Sequence, residues 1–76
     1  MSRQYSVVLV PEPEEGGYSV QVPALPGCVT QGETLEDCAE NARDAIALFI
    51  ESLEAHGERV PEELEQPTII KISVAA

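Results

Sequence analysis

Two cysteines and one histidine are the residues of this 76-residue chain whose types best suit nucleophilic or metal chemistry: Cys28, Cys38 and His56. A zinc site needs about four closely spaced ligands, and the sequence has no C-x-x-C pair and no second histidine. Cys38 and His56 fall on one predicted helix, about 27 Å apart by its rise, too far for a nucleophile and its base. We therefore predict core cysteines, no catalytic residue, no metal and no cofactor.

Carboxylates are the other candidates, because Asp and Glu number 14 against 4 Lys and Arg, a net charge of −10. A Mg²⁺-dependent nuclease needs carboxylates that converge from different elements. Here the acidic residues of 12–15 share one turn, whereas Asp37, Glu40 and Asp44 share one helix. A degenerate nuclease is thus a third-ranked hypothesis.

The net charge also restricts the partners. Direct nucleic-acid binding and anionic membranes both favour Lys and Arg, so we expect neither. A basic protein partner, reached by electrostatic steering, fits the charge; a surface that serves solubility alone is the alternative. The sequence shows no signal peptide and no apolar stretch near the ~18 residues of a membrane span, so the cytoplasm is the expected location.

Hydrophobic periodicity predicts the elements that position these residues. Strand patterns occupy 5–10, 18–22, 28–31 and 68–74, and a helical stripe begins at Leu35. The predicted fold is α+β with the order β-β-β-α-β, one domain over 1–76, and the helix packed on one face of the sheet. A right-handed crossover would place the last strand parallel to the first.

The stretch PALPGCVTQGETLEDC, residues 23–38, contains the turn and cap signals. Pro23 and Pro26 cannot donate to a sheet ladder, so the second strand must end there, and Gly27 can supply a positive φ. After Gly32, Thr34 with Asp37 resembles a capping box that starts the helix. Fold geometry is the main predicted role of this motif.

The first and last predicted strands carry apolar residues on both faces, and one helix can cover only one face. We therefore predict a homo-oligomer or an obligate partner on the helix-free face or along an edge strand. Val8, Val10 and Ile69 are the predicted interface residues. The alternative is that these residues are partly exposed and serve β propensity alone.

The polar side of the predicted helix is acidic, with like charges four residues apart that slightly destabilise it. One apolar residue interrupts that side. The predicted partner-binding residues are Glu36, Glu40, Asp44 and Leu48. A solvated face with no binding role is the alternative reading.

A hairpin that ends in GGYSVQVPALPG, followed by G-C-x-T-x-G-x-T and an alanine-rich helix, resembles the HicB-like antitoxin family over Tyr5 to Leu53. The resemblance implies a truncated ribonuclease-H-like sheet without catalytic carboxylates. It also implies binding to a small basic HicA-like toxin that cleaves mRNA, by covering its active surface.

Many such antitoxins carry a C-terminal DNA-binding motif, whereas this sequence stops soon after its last predicted strand, at Ala76. We therefore expect no DNA-binding role from these residues. A homo-oligomeric structural or small-ligand-binding domain without a toxin partner is the alternative function.

Overall fold

The computed structural model describes residues 3–75 and contains three strands and one helix in this range. Strands β1 (Val8–Pro11), β2 (Tyr18–Gln21) and β3 (Val29–Gly32) form an antiparallel sheet in the order β1-β2-β3, followed by helix α1 (Leu35–Ala55). The predicted α+β class and the β-β-β-α order are confirmed. The observed strands are shorter than the predicted ones at β1 and β2.

The strand register separates the two faces of the sheet. Leu9, Val20 and Thr30 lie opposite one another, and this row contains the fully buried Val20. The next row, Val8, Gln21 and Val29, points to the opposite face because side chains alternate along each strand. Helix α1 packs against β3 and β2, so the helix covers one face, as predicted.

The helix begins where the sequence predicts. Thr34 has extended backbone, and its Oγ1 accepts a hydrogen bond of 3.1 Å from the Asp37 backbone N–H. This N-cap satisfies one of the free donors of the first turn and stabilises a helix by about 1 kcal/mol. Asn41 joins the helix to the sheet, since its Nδ2 donates to the Gln31 carbonyl oxygen at 2.7 Å.

The PALPG segment inserts a core residue between two strands. Leu25 is fully buried, and its backbone N–H donates to Val22 while its carbonyl accepts from Cys28. The Val22 N–H donates to the Cys28 carbonyl at 3.1 Å and closes the turn. Gly27 has φ of 93°, as its predicted role requires. The motif therefore sets the geometry and also supplies a core side chain.

Two small apolar clusters form the core. One contains Val20, Cys38 and Ala42, and the other contains Val22, Leu25 and Cys28. Phe49 and Ile50 from the helix pack on the second cluster, and Val7 touches both. The prediction that both cysteines are core residues is confirmed.

Glycine is required at the junction of β3 and α1 because the helix passes very close to the strand. A Cβ placed on Gly32 would lie 2.8 Å from both the backbone nitrogen and the Sγ of Cys38. Any side chain at Gly32 would push the start of the helix away from the sheet. This explains the glycine of the G-E-T turn by close packing.

The chain that follows the helix is attached beside the beginning of β1. The Tyr5 hydroxyl donates to the Pro61 carbonyl at 2.6 Å. The Ser6 backbone N–H donates to Glu63 Oε1 at 2.7 Å, and the Ser6 hydroxyl donates to Glu63 Oε2 at 2.6 Å. These bonds hold 61–63 against residues 5 and 6.

The predicted fourth strand is not formed within the chain. Residues 68–74 pair with no strand and are exposed throughout. A segment becomes a strand only when its backbone groups find a ladder partner, and residues 68–74 have none among the described strands. The prediction of a fourth strand is therefore wrong for the chain by itself, because an alternating pattern does not specify which sheet edge would accept the segment.

Candidate interaction surfaces

An acidic ridge runs along the outer side of α1. We give this name to Glu36, Glu40, Asp44 and Leu48, which follow one another at four-residue steps and are all exposed. Leu48 is 66% exposed among these carboxylates. The structure thus places the predicted partner-binding residues on one accessible surface, and their binding role stays a prediction.

A groove lies between β1 and the helix, which we call the β1 groove. Its volume is about 690 Å³. On the sheet side it is bounded by β1 and the residues just before it, and on the other side by the first three turns of α1. Its lining is part apolar and part polar. Arg3, Arg43, Glu63 and Gln66 supply polar groups, and the apolar part is formed by Val7, Leu9, Leu35, Ala39, Ala42 and Ile46.

The sequence did not predict this groove, although one signal for it was present. The helical stripe extends to Leu35 and Ala39, yet Leu35 is 63% exposed and Ala39 is exposed as well. When the apolar stripe of a helix is wider than the sheet on which it packs, some of its apolar side chains remain exposed to solvent. That excess forms the helical wall of the groove.

The helix-free face of the sheet carries the predicted interface residues of β1. Val8 is half-buried and Val10 is exposed, and both point away from the helix. Val29, which the prediction did not include, lies in the row of Val8 and is also exposed. Polar residues of β2 separate the two apolar edges of this face. Ile69 lies far along the chain, in the exposed C-terminal segment.

The residues considered for nucleophilic chemistry lie apart. Cys28 and Cys38 belong to different core clusters and both are free thiols. Desolvation by burial raises the pKa of the Cys28 thiol, so at neutral pH it stays protonated and a poor nucleophile. His56 caps the helix, its Nδ1 lying 2.7 Å from the Ser52 carbonyl oxygen.

Residues 3–75 were compared with the requirements of a metal site and of a membrane-spanning helix. No group of three or more His, Cys, Asp or Glu side chains in this range could hold a metal ion. The one helix of the same range lacks the apolar length needed to cross a bilayer.

A three-stranded antiparallel sheet with one helix packed on one face defines a small α+β domain. Comparison with known families assigns it: the family described as HicB-like antitoxin of bacterial toxin-antitoxin system matches residues 5–72. The chain belongs to this family, as the sequence motif indicated.

Individual relatives agree with this assignment. A UPF0150 protein of Thermoplasma acidophilum is 46% identical over 60 residues, which cover 79% of this chain and 86% of the relative. Another UPF0150 protein, from Synechocystis, is 36% identical over 72 residues, 95% of this chain and 97% of its own. The chain therefore matches short relatives over most of their length.

A longer relative carries the name Antitoxin HicB 1, from Photorhabdus laumondii. It is 41% identical over 58 residues, which make up 76% of this chain but 37% of that protein. The shared part is the domain described above, and it makes up about a third of that antitoxin.

Proposed function

We infer that this chain acts as an antitoxin, which binds and neutralises a small basic HicA-type toxin that cleaves mRNA, and that it does so without catalysis of its own. Family membership carries the proposal. The Photorhabdus laumondii relative, Antitoxin HicB 1, agrees with an antitoxin role. The truncated ribonuclease-H-like form of the sheet stays a prediction.

The acidic ridge is the surface that we propose meets the toxin. Its carboxylates are exposed and lie on a rigid helix of 21 residues. A net charge of −10 steers a basic partner toward the molecule. Leu48 adds an exposed apolar side chain, and apolar anchors surrounded by charge are typical of protein interfaces. Neutralisation would follow when the ridge covers the basic surface with which the toxin holds RNA.

Co-expression with the HicA-type reading frame adjacent to the gene tests the function. We expect growth to be restored, the two proteins to co-purify, and mRNA cleavage by the purified toxin to stop on addition of this chain. Continued toxicity together with no detectable complex would refute the proposal.

Matched charge variants test the ridge separately. Replacing Glu36, Glu40 and Asp44 by Gln, Gln and Asn should weaken binding by about tenfold or more. The control replaces Glu12, Glu14 and Glu15 by Gln, which removes the same charge from an exposed turn. Equal weakening by both variants would indicate general steering, and no weakening by the ridge variant would place the interface elsewhere.

The alternative function, a homo-oligomeric structural or ligand-binding module, draws its support from the β1 groove. If the adjacent reading frame encodes no toxin and the purified chain binds none, the results would favour this alternative function. The two functions share the same fold, so the toxin assays above decide between them.

A further inference from the structure

Residues 68–75, which we call the C-terminal arm, are exposed throughout. Ile69 and Val74 are 82% and 79% exposed, and Ile70 and Ile72 are each 72% exposed. The radius of gyration is 14.4 Å, against about 11 Å for a compact chain of this length. The longest dimension, 47 Å, far exceeds the other two, 26 and 21 Å. The arm therefore stands away from the folded body.

The arm has the sequence of a strand that expects a partner. Its β-branched residues alternate, so that Ile70, Ile72 and Val74 would share one fully apolar face of a strand. Lys71 and Ser73 fall on the other face. The family match reaches residue 72, so most of the arm belongs to the domain and is not an appended tail.

A place for such a strand exists at the β1 edge. β1 is an outer strand of the sheet in the described part of the chain, so one side of its backbone offers unpaired N–H and C=O groups. The β1 groove opens along the same edge. Its helical wall is apolar and exposed at Leu35 and Ala39. A strand added to β1 would lie beneath this wall and fill the groove.

We propose that two copies of this chain exchange their arms, each arm adding as a fourth strand to the β1 edge of the other copy. Ile70, Ile72 and Val74 then fill the partner's β1 groove, and Ile69 joins Val8 and Val10 on the opposite face. The predicted β-β-β-α-β sheet is thereby completed between chains. This inference does not depend on the toxin-binding function.

The attachment of the chain before the arm supports exchange. Pro61 and Glu63 are fixed beside Tyr5 and Ser6. Residues 64–67 are all exposed and connect this attachment to the arm, with Gln66 still lining the β1 groove. Arm exchange replaces the exposed apolar surface of both chains with buried surface in one step, which favours the dimer.

The first experiment measures the mass of matched full-length variants by sedimentation at micromolar concentration. The unmodified chain should have twice its 8.2 kDa mass. Ala39→Glu places a charge in the groove wall and should weaken dimerisation by about tenfold or more. Ala47→Glu is the control, because Ala47 is an exposed alanine of the same helix outside the groove. Circular dichroism at 222 nm verifies that both variants keep the helix.

A mixing experiment distinguishes exchange from other assemblies. Ile72→Asp alters the arm but leaves the groove intact, so this variant and Ala39→Glu should each, when alone, dimerise about tenfold or more weakly than the unmodified chain. Mixed, they should form heterodimers, because the unmodified arm of one fits the unmodified groove of the other. A monomeric unmodified chain would overturn the proposal in favour of an arm folded on its own body. An Ile72→Asp variant that stays dimeric would also overturn the proposal, because the arm would then not be needed for assembly. An Ala39→Glu variant as dimeric as the unmodified chain would overturn it too, and would indicate arm-to-arm pairing.

Discussion

At the scale of single residues, two neighbouring glycines in the first turn differ in what surrounds them. Gly16 and Gly17 both have positive φ, 81° and 71°. A Cβ on Gly16 would meet no atom within 4 Å, whereas a Cβ on Gly17 would lie 2.6 Å from the Gly32 carbonyl oxygen. Both substitutions to alanine therefore carry the same backbone strain, and only the second adds a clash with β3.

We predict that Gly16→Ala lowers the free energy of unfolding by about 1 kcal/mol. Gly17→Ala should lower it by an additional ~1–3 kcal/mol because the turn must move away from β3. Urea denaturation of both variants measures the difference. Equal losses would mean that the turn relaxes freely and that its approach to Gly32 does not limit the fold.

At the scale of elements, the segment after the helix depends on one carboxylate. Glu63 accepts hydrogen bonds from both the backbone N–H and the hydroxyl of Ser6. Those bonds fix the direction in which the chain leaves the body. The neighbouring Glu62 is exposed and provides a matched control on the same segment.

Glu63→Ala should lower the free energy of unfolding by about 1 kcal/mol, since hydrogen bonds to a charged acceptor are lost at a partly exposed site. Glu62→Ala should change it by less than ~0.5 kcal/mol. Thermal unfolding followed by circular dichroism gives both values. If the two variants prove equally stable, the attachment contributes no stability and serves direction alone.

The elements also show how much of the fold can be predicted from the sequence. Local signals were sufficient for the helix, where Thr34 caps the start and His56 the end. They were also sufficient for the three strands, which end at Pro11, two residues before Pro23, and at Gly32. The burial of Leu25 within the turn, and the β1 groove, arise from tertiary packing that a periodic pattern does not encode. The prediction of a fourth strand was wrong for the same reason. The alternating pattern is a local property of residues 68–74, whereas the strand that would pair with them is distant in the sequence.

At the scale of the whole molecule, charge opposes stability. Carboxylates outnumber basic side chains by 14 to 4, and self-repulsion in such a chain destabilises the compact state. The acidic ridge concentrates the effect, because Glu36–Glu40 and Glu40–Asp44 are like-charge pairs at helical spacing. A surface shaped by stability alone would alternate the signs, so the unrelieved charge fits selection for a basic partner.

The dependence of stability on salt concentration measures the destabilisation that charge repulsion causes. The melting temperature should rise by several degrees as NaCl increases from about 10 mM to 300 mM, because the Debye length shortens from roughly 30 Å to about 6 Å and repulsion is screened. Glu40→Gln removes both like-charge pairs and should stabilise the protein by about 0.5 kcal/mol at low salt, with the gain fading at high salt. Glu58→Gln is the control, because it lies beyond the helix and changes the net charge by the same amount. It should increase the stability by less than Glu40→Gln does. A melting temperature insensitive to NaCl would show that the carboxylates are too far apart to repel, and the argument from charge to a basic partner would lose its physical basis.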